Sequence, residues 1–102
     1  MRRRRLGVLC GGKSAEHEIS LLSAKNVLAV LDSTKYDIFL LGIDKDGQWY
    51  LHDTDELLRQ ESHPQQIQLQ ASENKKVAFL PGQQGFYLIK QQSFYPLDVV
   101  FP

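Results

Sequence analysis

The chain of 102 residues holds a single cysteine, Cys10, together with one methionine and one tryptophan. One thiol excludes a disulfide framework within the chain and fits a reducing cytoplasm. No apolar run approaches the ~20 residues that a membrane-spanning helix needs. The short stretch Leu6 to Cys10, behind Met1 and Arg2 to Arg5, runs into two glycines and lacks the length of a secretion signal's apolar core. Charge of one sign is lacking as well, since 12 Lys and Arg stand against 12 Asp and Glu for a formal net charge of +0. That balance removes the general electrostatic reason to expect a nucleic acid or an anionic membrane as partner. Arg2 to Arg5 do not restore it, because no aromatic platform or second basic patch accompanies them. There is no repeat, no linker and no G-x-G-x-x-G dinucleotide fingerprint. His52 and His63 lie far from each other in sequence and from the cysteine, so no zinc spacing arises. Asp44 and Asp46 fail the EF-hand spacing and read as turn residues. The expectation is a soluble cytoplasmic protein with no metal site of its own.

The pattern that is present is α/β. Leu6 to Cys10 is a short apolar run ended by Gly11-Gly12, which reads as a buried strand. Ser14 can cap a following helix, with Glu16 and Glu18 in its first turn, where negative charge suits the helix dipole. Leu21, Ala24, Leu28 and Leu31 form one stripe at helical spacing, and Asp32-Ser33-Thr34 ends the helix. Residues 37–43 are a second buried strand, giving a right-handed βαβ unit. Asp46-Gly47 then signals a turn that folds residues 48–51 back as an antiparallel extension. Residues 53–60 predict a short helix with Leu57 and Leu58 inward. The polar stretch 61–76 predicts loop with one short strand at 67–69. Residues 77–80 and 86–89 predict a hairpin, and residues 97–101 another buried strand. The fold class expected is a Rossmann-like three-layer α/β domain, with a mainly parallel sheet and an added hairpin. In open α/β sheets ligands bind beyond the carboxyl ends of strands. The last strand pattern stops at Pro102 without such a loop, so the chain is expected to be the opening segment of a larger enzyme.

Gly7 to Ser14 matches the phosphate-binding pattern G-x-x-x-x-G-K-[ST]. Physical arguments oppose that reading. The match would place Val8, Leu9 and Cys10 in a phosphate-wrapping loop, although they are the only candidates for the first strand. Arginines would have to fill the strand before it, and Glu16 and Glu18 would repel a triphosphate. A tight Gly-Gly turn, a helix start with free N–H donors and an acidic side chain instead suit a small zwitterion such as an amino acid.

Gly11-Gly12-Lys13-Ser14-Ala15-Glu16-His17-Glu18-Ile19-Ser20 resembles the G-G-x-S-x-E-H-x-[VI]-S motif of D-alanine–D-alanine ligases. Residues 21–27, 40–49 and 98–102 are similar to the family's first helix, second strand and turn, and the strand that leads to its H-G-x-x-G-E-D-G loop. The resemblance implies that residues 1–102 form the N-terminal substrate domain, before central ATP-grasp and C-terminal domains that lie outside this chain. It implies an ATP-dependent ligase that joins two D-alanines for peptidoglycan through an acyl phosphate. ATP and Mg2+ or Mn2+ would be bound by those other domains, and this segment alone would be inactive. It also implies D-alanine and the rest of the ligase chain as partners, with a homodimer possible for the full-length enzyme.

By the same resemblance Glu16 holds the ammonium of the first D-alanine and Ile19 lines that subsite, with Gly11, Gly12 and Ser14 close to the ligand. His17 and Ser20 would support the loop. Each residue also has a plainer reading. Glu16 can serve the helix dipole, Ser14 can be only a cap, Ile19 only a core residue, and the glycines an ordinary strand-to-helix turn. Cys10, without a base beside it, reads as buried and inert. Two other functions stay open at this point: a self-contained binding or scaffold domain, and a fragment of a nucleotide hydrolase. The second substrate, D-alanine, D-lactate or D-serine, is not set by this segment.

Overall fold

The computed structural model describes residues 3–12, 17–63 and 67–101. Strand β1 (Arg4–Gly11) and strand β2 (Tyr36–Ile43) pair in parallel along their whole lengths, from Arg4 opposite Tyr36 to Gly11 opposite Ile43. Helix α1 (His17–Val30) makes the crossover between them. Strand β3 (Trp49–His52) returns antiparallel beside β2, after a turn in which the Asp44 carboxylate accepts the N–H groups of Asp46 and Gln48 at 2.9 Å each. Helix α2 (Thr54–Leu58) follows, capped by the Asp53 carboxylate on the Asp55 N–H at 2.9 Å. A single 3-10 turn spans Glu73–Lys75, and then come β4 (Val77–Ala78), β5 (Gly85–Leu88), β6 (Ser93–Pro96) and β7 (Val99–Phe101). Among the described residues there are two sheets, a mixed four-stranded one in the order β3-β2-β1-β7 and an antiparallel three-stranded one in the order β4-β5-β6.

Strand alternation sends the side chains of the four-stranded sheet into two different cores. On one face Leu6, Val8 and Cys10 of β1 and Leu40 of β2 meet Leu21, Ala24 and Leu28 of α1 and Leu57 of α2. The α1 stripe is thus the sequence-read one, spaced so that a single helix face is buried. On the opposite face Leu41 packs with Val77, Phe86, Leu88 and Leu97, flanked by Leu9, Phe39, Trp49 and Tyr95. Phe86 is fully buried, stacked on Tyr95 at 5.2 Å and edge-on to Phe39 at 5.6 Å. The layers therefore run helices, mixed sheet, small sheet. Burying each Leu or Phe of these cores contributes roughly 1.5–3 kcal/mol, the main favourable contribution in a chain of this length.

Several expectations need correction. Strand β1 begins at Arg4 rather than Leu6. Its outer end is tied by the Asp98 carboxylate, which accepts the Arg5 N–H at 2.7 Å, while Asp98 donates its own N–H to the Arg5 carbonyl at 2.8 Å. The side chains of Arg3 and Arg5 avoid the core: Arg3 pairs with Asp37 at the surface, and the Arg5 guanidinium lies 6.0 Å over the Phe39 ring. Leu58 is exposed, because α2 is only five residues long and presents Leu57 alone to the core. Residues 67–69 are not a strand. Ile67 is buried there, but the backbone is held by side chains of the α2 region, Gln60 accepting the Gln68 N–H and Glu56 the Gln70 N–H. Strand β7 is not buried: Val99, Val100 and Phe101 are exposed because β7 sits at the sheet edge, beside β1 only. Strand β6 forms over Ser93–Pro96, where the sequence pattern predicts none.

Candidate functional site

The carboxyl end of β1 carries the two glycines. Gly11 has φ +84° and Gly12 φ +123°, backbone that side-chain-bearing residues rarely adopt. A Cβ on Gly11 would lie 2.2 Å from the Ile43 carbonyl oxygen and 3.0 Å from the His17 ring, so the close approach itself demands glycine. At Gly12 the space within 4 Å of the same position is empty. The turn thus presses on β2 with one glycine and leaves open space above the other.

Helix α1 fastens this turn with two side chains one helical turn apart. Ser20 Oγ accepts the Gly11 N–H at 3.0 Å, and His17 Nδ1 lies 2.8 Å from the Gly12 carbonyl oxygen. A carbonyl can only accept, so Nδ1 carries the proton in that bond. From the other side the Ile43 carbonyl accepts the Gly12 N–H at 2.8 Å. The amide protons of both glycines are therefore engaged inside the turn. A ligand here would gain close approach over Gly12, not hydrogen bonds from these two amides.

Of the sequence-selected residues, Gly11, Gly12, His17 and Ser20 come together at this end of the sheet. Ser14 and Glu16 lie outside the described residues. Ile19 is 55% exposed, so its side chain is open to solvent and is not part of either core. Glu18 pairs with Lys45 at 2.8 Å. The Lys45 hydrogen bond, helped by a backbone one, holds the Glu18 carboxyl below the usual carboxylate range. Glu18 is thus already matched by a cation from the β2–β3 turn, and Lys45 is a partner that no sequence signal marked. Cys10 is buried, and desolvation pushes its thiol up to about 12, so it is not a nucleophile at neutral pH. Among the described residues no three His, Cys, Asp or Glu side chains converge to hold a metal ion.

The phosphate-loop pattern fails on geometry. Gly7 to Cys10 lie within β1, each with a parallel partner on β2, so no loop forms between Gly7 and Gly11 to wrap a phosphate. Among the described residues no helix is long and apolar enough to cross a membrane.

In open α/β sheets the carboxyl end of a central parallel strand, here closed by a glycine turn and clamped by the helix that follows, is the end where ligands bind. Comparison with known proteins narrows that class. The family described as D-ala D-ala ligase N-terminus matches residues 5–102, and the chain belongs to that family. The chain is 45% identical to D-alanine–D-alanine ligase A of Salmonella typhimurium over 105 aligned positions, covering 100% of this chain and 29% of that protein. Its fold superposes on the D-alanine–D-alanine ligase of Coxiella burnetii with a TM-score of 0.75 and 32% identity, covering 98% of this chain and 28% of the other. It superposes equally, with a TM-score of 0.75 and 28% identity, on the VanG D-Ala:D-Ser ligase of Enterococcus faecalis, covering 99% and 29%. The chain therefore spans less than a third of the length of these relatives.

Proposed function

We propose that this chain is the N-terminal substrate domain of an ATP-dependent ligase that joins two D-alanines for peptidoglycan, and that it forms part of the subsite for the first D-alanine. The observation that carries the reading is the Gly11-Gly12 turn, fixed by His17 and Ser20 at the carboxyl end of β1, in a chain of this family. In this reading Glu16 faces the ammonium of the first D-alanine, Ser14 and the open space over Gly12 admit the small ligand, and the exposed Ile19 lines its apolar side. His17 and Ser20 hold the turn in place and do not themselves transfer protons. The parallel β2-β1-β7 core with its α1 crossover belongs to a Rossmann-like domain.

The remaining machinery is assigned to domains beyond these residues. ATP, when bound there, activates the carboxylate of the first D-alanine for attack by the amine of the second amino acid. Mg2+ or Mn2+ is assigned to those domains too, as the resemblance to the family implies. The cytoplasm, where ATP is available, is the compartment that fits, and a homodimer of the full-length enzyme is compatible with this reading.

The test is Glu16→Gln in the full-length ligase that carries this segment. A charge-assisted hydrogen bond is worth ~1.5–3 kcal/mol, so capture of the first D-alanine should weaken roughly 10- to 150-fold. Unchanged steady-state constants would remove Glu16 from the subsite.

A further inference from the structure

The turn between β2 and β3 delivers a lysine to the start of α1. Asp44 ties that turn together. Its carboxylate accepts the Asp46 and Gln48 N–H groups at 2.9 Å each, its carbonyl accepts the Gly47 N–H at 3.0 Å, and its own N–H donates to the Gln48 carbonyl at 2.9 Å. Lys45, one residue on, is carried by this bonded backbone, and its ammonium lies 2.8 Å from the Glu18 carboxylate. That hydrogen bond holds Glu18 below the usual carboxylate range, so at neutral pH Glu18 is ionised and matched by a cation.

The pair lines a cavity of about 360 Å3 at the carboxyl end of β2, together with His17, Asp44, Gln68 and Leu69. The His17 ring also meets the Gly12 carbonyl at 2.8 Å, so this cavity opens beside the glycine turn. Both carboxylates in its wall are engaged within the protein, Asp44 by the N–H groups of its own turn and Glu18 by Lys45.

Fastening the helix is the lesser part of what this pair does. An ion pair between side chains 65% and 32% exposed holds little in place. Helix α1 is already tied to the turn by Ser20 and His17. The charge matters more. An amino acid brings an ammonium and a carboxylate into the site together. Without its cation, Glu18 would draw that ammonium away from Glu16 and repel the ligand's carboxylate. Both effects reach across the roughly 8–10 Å over which salt leaves charges unscreened.

We propose that Lys45 is a positioning residue for the first amino-acid subsite: by neutralising Glu18 it leaves Glu16 to receive the ligand's ammonium. The inference rests on the proposed function. Lys45 acts through Glu18 and not through contact with the ligand, so its effect must vanish when Glu18 loses its charge.

The experiment is initial-rate phosphate release from ATP by the full-length ligase that carries this segment, measured against D-alanine and fitted with separate constants for the first- and second-bound amino acid. The variants are Lys45→Met, Lys45→Arg, Glu18→Gln and the double variant Lys45→Met/Glu18→Gln. Lys45 is exposed, so its replacement leaves both cores untouched. Lys45→Met should raise the constant for the first D-alanine by roughly 3- to 10-fold, with kcat and the second constant unchanged. The rise should shrink at high salt. Lys45→Arg should keep the original constant, Glu18→Gln alone should leave it unchanged, and the double variant should return to it. A pair that merely fastened the helix would behave otherwise. Glu18→Gln would then raise the constant as much as Lys45→Met does, and the double variant would keep the rise. Either result would overturn the inference, as would a first constant indifferent to Lys45→Met in an enzyme whose turnover depends on D-alanine. Turnover of the unsubstituted enzyme that never depends on D-alanine would refute the proposed function, and this inference with it.

Discussion

Replacing Gly11 with alanine isolates the physics of the turn. The backbone at Gly11 has φ +84°, where an L-residue costs about 1–2 kcal/mol. The new Cβ would also stand 2.2 Å from the Ile43 carbonyl oxygen, a backbone atom that cannot rotate away. Relief requires β1 and β2 to part at that end, which breaks the Gly12 N–H bond to Ile43, a net loss of about 0.5–1.5 kcal/mol. Together these give about 1.5–3.5 kcal/mol, a large share of the ~5–15 kcal/mol that stabilises a domain of this kind. At about 4–8 °C per kcal/mol, the Tm should fall by roughly 6–28 °C. Gly12→Ala is the internal control. It carries the backbone strain of φ +123° but meets nothing within 4 Å, so about 1–3 kcal/mol covers it. Thermal unfolding by circular dichroism of both variants decides the matter. A Gly11→Ala protein that keeps the Tm of the unsubstituted chain would refute the contact-based account of this turn.

Other perturbations have defined outcomes. Asp98→Ala removes the acceptor of the Arg5 N–H, a charged hydrogen bond worth ~1.5–3 kcal/mol, and urea unfolding should show that loss together with faster amide exchange at Arg5. Phe86→Ala empties the centre of the core between the two sheets and should cost about 3–5 kcal/mol in the same assay. Cys10 should resist a thiol reagent at pH 8 in the folded protein and react at once in denaturant. Because burial raises its folded pKa to about 12, while the unfolded thiol ionises near 9, its ionisation lowers stability as pH rises from about 9 toward 12. Cys10→Ser should remove that part of the alkaline loss.

The elements that sequence alone made legible are those whose own residues specify them. The runs of β1 and β2 are apolar because the sheet is covered on both faces there, and the α1 stripe is a single helical face. The family motif pointed to the glycine turn before any geometry did. What stayed hidden depends on neighbours. Val99, Val100 and Phe101 look the same in sequence whether a strand is central or at an edge, and only the strand order shows that β7 is exposed. Ile67 is apolar because it covers a core, not because it joins a ladder. Strand β6 ends in proline and alternates Phe94 outward with Tyr95 inward over four residues, too short for its period to register. The Glu18–Lys45 pair joins residues 27 positions apart, which no local pattern links.

The most direct test of the central claim is phosphate release from ATP by the full-length protein that carries this segment, with and without D-alanine. Release that depends on D-alanine, with D-alanyl-D-alanine as product, is the predicted result. ATP turnover indifferent to D-alanine would contradict the ligase reading and leave only the fold.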